Sequence, residues 1–187
     1  MIDDVELVRR IQRGDAAAAD AFVRRHRDRL SRLARLWSRD EEDARDAVQE
    51  ALLRGLSGIA AFRFRSAPLT WIVGTLRNVC AEQRRRSRRT DGDVDVEALV
   101  ADDTTTRTAP SADARGALHR WLRELPPRQR DAVVLRSLEE LSVKDTARIM
   151  DCREGTVKAL LHQGRARLRS LAERDGHVLP LTSEETT

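Results

Sequence analysis

Residues 142–170 read SVKDTARIMDCREGTVKALLHQGRARLRS. Ser142 is a strong helix N-cap, and Asp145, three residues on, gives an approximate capping box. Met150-Asp151-Cys152 reads as a tight turn, and a long helix follows from about Glu154 to Ala172. A short helix, a three-residue turn and a longer helix make the outline of a helix-turn-helix. The second helix carries Thr156, Lys158, His162, Gln163, Arg165, Arg167 and Arg169. A helix fits the major groove, where its N-terminal residues meet base edges and its later basic residues meet phosphates. A three-helix bundle with a solvated basic face shows the same pattern, and at this level both readings stand.

Working outward, Ser111 is a candidate N-cap for a helix lined by Leu118, Trp121, Leu122 and Leu125, which Pro126-Pro127 ends. The pattern then predicts one helix over 128–138, with Ala132, Val133, Leu135 and Leu138 apolar. Upstream, residues 90–112 are acidic, rich in Thr and poor in large apolar residues, the composition of a linker. Before it, four helices are expected: Asp3 to Arg13, Asp15 to Trp37, one starting at Asp40, and one starting at Pro68. Ala44, Ala47, Val48, Ala51, Leu52 and Leu56 form the apolar stripe of the third. Residues 58–67 break the helical pattern. The chain is thus expected to be all-α, with two helical domains (1–90 and 113–175), a flexible acidic linker (91–112) and a disordered tail (176–187).

Composition narrows the function. Of 187 residues, 35% are charged and 40% apolar, too apolar for wholesale disorder and too charged for a membrane protein. No run approaches the roughly 18 apolar residues of a spanning helix, and the first 14 residues are too charged for a signal peptide. A cytoplasmic protein without membrane insertion is expected. The net charge of +4 is unevenly spread: residues 51–90 carry a net +8, residues 91–115 a net −5. A basic block of this kind suits a polyanion partner, and arginine forks suit phosphates and base edges, although heavy arginine use also follows genomic base composition.

Two further segments could carry chemistry. Phe62 to Arg89 joins a loop holding Phe62, Arg63, Phe64, Arg65 and Ser66 to a helix bearing Trp71, Arg77, Asn78, Arg84, Arg85 and Arg86. Aromatic and basic residues together suit unstacked single-stranded bases; equally, Trp71 could be core and the arginines a solvated helix end. Asp43, Asp46, Gln49 and Glu50 share one face of the third helix, either a solvated acidic face or a dock for a basic protein. Enzymatic constellations are missing: His26, His119, His162 and His177 are scattered, and no phosphate loop or nucleophile elbow is present. No metal or cofactor is expected. Cys80 and Cys152 lack Cys-x-x-Cys partners and read as buried small hydrophobes, with redox sensing the other reading.

Taken together, these segments resemble the bacterial sigma factors of the extracytoplasmic-function (ECF) type. LPPRQRDAVVLRSLEELSVKDTARIMDCREGTVKALLHQGRARLR (Leu125 to Arg169) is similar to the family's region 4. EEDARDAVQEALLRGL (Glu41 to Leu56) and FRFRSAPLTWIVGTLRNVCAEQRRR (Phe62 to Arg86) are similar to region 2. The resemblance implies a protein that makes no bonds and directs transcription initiation. Region 2 would bind the β′ clamp helices of core RNA polymerase through Asp43, Asp46, Gln49, Glu50, Leu53 and Arg54, and would hold the melted minus-ten element. The loop Arg63 to Ala67 would capture a flipped base of the non-template strand, with Trp71, Arg77, Asn78 and Arg84 to Arg86 on the adjoining DNA. Region 4 would bind the β flap and the minus-thirty-five duplex through Arg153, Glu154, Thr156, Lys158, Ala159, His162, Arg165 and Arg167. An anti-sigma factor would regulate it.

This sequence departs from the family pattern at four places in region 4. Asp151 stands for the turn glycine and Arg153 for the N-cap serine, a loss of about 1 kcal/mol. Ala159-Leu160 replaces a Ser-Arg pair, and Gln163 a later arginine. Two other readings remain: a helix-turn-helix regulator acting as a dimer without polymerase, and a sigma-like decoy for an anti-sigma factor.

Overall fold

The computed structural model describes residues 2–90 and 114–177, and every element among them is helical. The chain divides into two compact units, Met1–Asp95 and Val96–Thr187. Ser111, the acidic 91–112 stretch and residues 178–187 lie outside the described residues.

Unit 1 holds α1 (Asp4–Gln12), α2 (Ala16–Trp37), α3 (Glu41–Gly58), a 3₁₀ turn (Ile59–Ala61) and α4 (Pro68–Thr90). Each of the first three helices starts on an aspartate whose carboxylate accepts a backbone N–H of the first turn: Asp3 from Glu6, Asp15 from Ala18, Asp40 from Asp43. α1 ends in a Schellman motif. Gly14, at φ +87°, donates to Ile11 O, and Asp15 N donates to Arg10 O. The Arg10 guanidinium closes the same turn on the Asp15 carboxylate.

The core gathers Leu7 and Val8 of α1, Phe22, Leu30, Leu33 and Trp37 of α2, and Ile72, Val73, Leu76, Val79 and Cys80 of α4. Large side chains buried in this way contribute about 1.5–3 kcal/mol each. α3 gives this core a stripe of small residues, Ala44, Ala47, Ala51 and Gly55. A Cβ at Gly55 would run into the end of the Ile72 side chain of α4, so glycine leaves room for that side chain. Leu52 and Leu56, expected in the same stripe, are only half-buried. The break expected from Gly58 begins a residue later, because α3 continues through Gly58 into the 3₁₀ turn.

Unit 2 holds α5 (Ala114–Glu124), α6 (Pro127–Val133), a π-helical turn (Val134–Leu138), α7 (Val143–Ile149) and α8 (Glu154–Arg174). Its core is Trp121, Leu122, Leu125, Val133, Leu135, Val157 and Leu168, all buried. Pro126-Pro127 does more than end α5, since Pro127 opens α6, where its missing N–H costs nothing. Arg130 reaches back to the last carbonyls of α5, donating to Leu122 O at 2.8 Å and to Arg123 O at 2.6 Å.

The single helix expected over 128–138 instead widens after Val133. Glu139 N bonds Val134 O at 3.0 Å, five residues back, and Leu141 N bonds Leu135 O. The wider turn delivers Glu140 at φ +54°, and Arg136 secures it by donating to Leu141 O at 3.0 Å. Apolar periodicity does not distinguish a four-residue from a five-residue hydrogen-bond step.

Candidate nucleic-acid interface

In unit 2 the helix-turn-helix forms as its residues dictate. Ser142 Oγ accepts from Asp145 N at 3.0 Å and donates to the Asp145 carboxylate at 2.8 Å. The carboxylate therefore closes on the hydroxyl, where a full capping box would use the backbone N–H. The turn is a Schellman motif: Cys152 N donates to Ala147 O at 3.0 Å, and Asp151 occupies the left-handed position at φ +48°. Asp151 thus takes the place that favours glycine. Arg153 sits at the N-cap of α8 with extended backbone and no side-chain cap bond. Cys152, in the turn, is half-buried, not buried as expected; Cys80 is buried.

α8 is fixed from beneath by Val157, Gly164 and Leu168. A Cβ at Gly164 would lie 2.8 Å from Val133 Cγ2 and 3.2 Å from Gln129 O, so only glycine allows α6 this close. The outer face presents Arg153, Glu154, Thr156, Lys158, Ala159, His162 and Arg167 to solvent. Arg165 is held inward, donating to Ser137 Oγ at 3.2 Å, and Gln163 accepts from the Gln129 amide at 3.3 Å. The far end of α8 is tied to α5. Trp121 Nε1 donates to Asp175 at 2.7 Å, and Arg174 pairs with Glu124. The Trp121 bond first, and Arg174 second, hold the Asp175 carboxyl below its ordinary pKa.

In unit 1 the loop between the 3₁₀ turn and α4 is built from aromatic rings. Phe62 is buried, 5.0 Å from Phe64 edge-to-face and 4.9 Å from the half-buried Trp71. Arg63 and Arg65 flank these rings, exposed, with Ser66 half-buried between loop and helix. Along α4, Trp71, Asn78 and Arg85 recur every seven residues, and so do Arg77 and Arg84, so they form adjoining rows on one side of the helix. Asn78, Arg85 and Arg86 are exposed, and Arg77 and Arg84 are half-buried. Stacking surface at one end and guanidinium groups at the other can take up a single strand by its bases and phosphates.

α3 carries the third set. Asp46, Gln49 and Leu53 are exposed, Leu53 conspicuously so for a large apolar side chain at 56%. Asp43 pairs with Arg39 at 3.3 Å. Arg54 bridges Glu50 at 2.6 Å and Glu82 of α4 at 2.8 Å, and these two, Glu82 foremost, raise its pKa above the ordinary value. The sequence reading missed Arg9 and Gln12. Gln12 touches the aromatic loop some fifty residues away, and no local signal marks it.

Two family models match the chain: sigma-70 region 2 over residues 22–90, and sigma-70 region 4 over residues 115–168. The ECF RNA polymerase sigma factor SigM of Mycobacterium tuberculosis (strain H37Rv) is 39% identical over 169 residues, 90% of this chain and 84% of its own. The ECF RNA polymerase sigma-E factor of Escherichia coli K12 is 31% identical over 191 aligned positions, 96% of each chain. Among solved structures, the sigma factor RpoE of Bartonella quintana, in complex with the anti-sigma factor NepR, has the same fold. Its TM-score is 0.68 at 24% identity, covering 83% of this chain and 97% of its own. The chain belongs to the ECF RNA polymerase sigma factors of the sigma-70 family. Among its described residues no helix is long and apolar enough to cross a membrane.

Proposed function

We propose that this protein acts by binding alone, in the cytoplasm, holding core RNA polymerase to a set of promoters and opening them. Unit 1, taken as residues 1–90, docks on the β′ clamp helices through Asp43, Asp46, Gln49, Glu50, Leu53 and Arg54. Its loop from Arg63 to Ser66, with Trp71, Arg77, Asn78 and Arg84 to Arg86, receives the melted non-template strand. Unit 2, residues 113–175, meets the β flap and lays the exposed face of α8 in the major groove at minus thirty-five. The acidic 91–112 stretch joins them, and its charge keeps it off DNA. An anti-sigma factor covers the polymerase-binding faces when the protein is idle. No cofactor or metal takes part.

One observation carries this reading: a cluster of three aromatic rings heads a helix whose side rows hold Asn78 and end in arginines. A duplex-only regulator has no use for a cluster of this kind, in which the half-buried Phe64 and Trp71 rings are backed by the buried Phe62. The test is run-off transcription from a genomic fragment library, comparing core polymerase alone with core plus this protein. Discrete new start sites that vanish on replacing Trp71 and Asn78 with alanine are expected. Stable core binding without new starts would leave a decoy for an anti-sigma factor. Failure to bind core would overturn the reading in favour of a helix-turn-helix regulator that works without polymerase.

A further inference from the structure

Three non-glycine residues among those described have positive φ, and Phe64, at +54°, is the one with an aromatic side chain. A bulky L residue rarely holds this conformation unless its surroundings enforce it. Glu140 and Asp151 sit in tight turns closed by backbone hydrogen bonds. Phe64 is different, for what fixes its loop comes from α1. The Gln12 side-chain amide donates to Ile59 O at 2.8 Å and to Phe62 O at 3.0 Å, gripping both ends of the turn just before Phe64. One turn earlier on α1, the Arg9 guanidinium carbon lies 5.7 Å from the centre of the Phe64 ring, on the reach of a cation–π contact. α1 is itself rigidly seated, by its Asp3 cap, its Schellman end, and Asp4 accepting from Arg25 of α2 at 2.7 Å.

We propose that α1 presets the base-capture loop, with Gln12 as the positioning residue that holds the Phe62–Ser66 backbone in its receiving shape and Arg9 as the clamp that keeps the Phe64 ring in place. This rests on the reading of that loop as the receiver of an unstacked base. A loop held in its bound shape avoids the ordering cost of binding; a loop released from Gln12 is competent only part of the time, and its apparent affinity falls by that fraction. Gln12→Glu keeps the side chain's size but replaces the donating amide with an oxygen that faces two carbonyl oxygens. Losing two hydrogen bonds predicts binding about tenfold weaker. Arg9→Ala, at an exposed position, predicts a loss of about threefold.

The test uses holoenzyme, core polymerase plus the full chain, and a pool of randomised single-stranded DNA. The base preference of the selected strands is read by sequencing, alongside core affinity and the thermal transition of each variant. The expected result is that Gln12→Glu and Gln12→Ala weaken selection and flatten the preferred base, while core binding stays intact. Amide exchange of residues 62–66 should rise at the same time. A merely structural Gln12 would lower the thermal transition and leave the base preference of the bound fraction unchanged, and that result would overturn the proposal. So would a wild type that selects strands with the Arg9 and Gln12 variants selecting them equally well. A wild-type holoenzyme that selects no single strand would instead sink the base-capture reading itself, before α1 is at issue.

Discussion

Arg153→Ser is a substitution whose effects on stability and on DNA binding should run in opposite directions. The helix-turn-helix holds its own comparison: α7 starts on Ser142, whose backbone (φ −60°, ψ 155°) nearly matches that of Arg153 (φ −76°, ψ 150°) at the start of α8. Ser142 Oγ accepts the Asp145 N–H at 3.0 Å, whereas the Arg153 side chain makes no cap bond. Thr156 N, the equivalent donor, turns back to Arg153 O at 2.9 Å. A serine here needs no backbone change to supply the missing acceptor, a gain of about 1 kcal/mol. For a domain of this size that is roughly 4–8 °C in the thermal midpoint of unit 2. Differential scanning calorimetry on the full chain reads it, with Ser142→Ala, expected to cost about 1 kcal/mol, identifying which transition belongs to unit 2. The same substitution removes an exposed guanidinium from the face of α8 proposed to meet DNA. Holoenzyme affinity for minus-thirty-five duplex should fall, and the slope of log affinity against log salt should flatten by about 0.9. If Ser142→Ala lowers the transition and Arg153→Ser fails to raise it, the capping argument is wrong. If duplex binding and its salt slope do not change, Arg153 does not reach phosphate.

Other consequences can be checked on the same material. Asp151→Gly, placing glycine at φ +48°, should stabilise unit 2 by up to about 1 kcal/mol, measured by urea denaturation. Gly164→Ala should destabilise by about 1 kcal/mol, the overpacking against Val133 and Gln129 O exceeding the gain in helix propensity, while Gly155→Ala, with open space around it, should change stability in the opposite sense. Arg54→Ala breaks two exposed ion pairs and should cost less than about 1 kcal/mol, yet weaken core polymerase binding measurably by surface plasmon resonance. Because Asp175 is held below its ordinary pKa when folded, its stabilising contribution is present above about pH 4 and drains as the pH falls through the folded value. The unit 2 midpoint should therefore drop on acidification, and Asp175→Asn should flatten that dependence.

Much of this protein is written in signals that act over three or four residues. Asp3, Asp15, Asp40 and Ser142 cap where the sequence places them, Gly14 ends α1, and Asp151 takes the left-handed turn position. Such signals depend only on local backbone geometry, so the all-helical class and the helix-turn-helix are legible in the chain itself, whereas the candidate residues of α3, α4 and α8 are singled out by charge and aromatic pattern and by the family resemblance. Tertiary structure decided the rest. That Phe62 packs between Phe64 and Trp71, that Gln12 and Arg9 hold the loop, that Arg165 is drawn to Ser137 and that Trp121 meets Asp175 all depend on pairs distant in sequence. The π-helical turn also falls here, since apolar spacing fits four- and five-residue steps alike. A side chain's local pattern states which face it occupies, whereas its partner is set only when helices with many possible neighbours settle into the one packing that excludes water and leaves buried polar groups bonded.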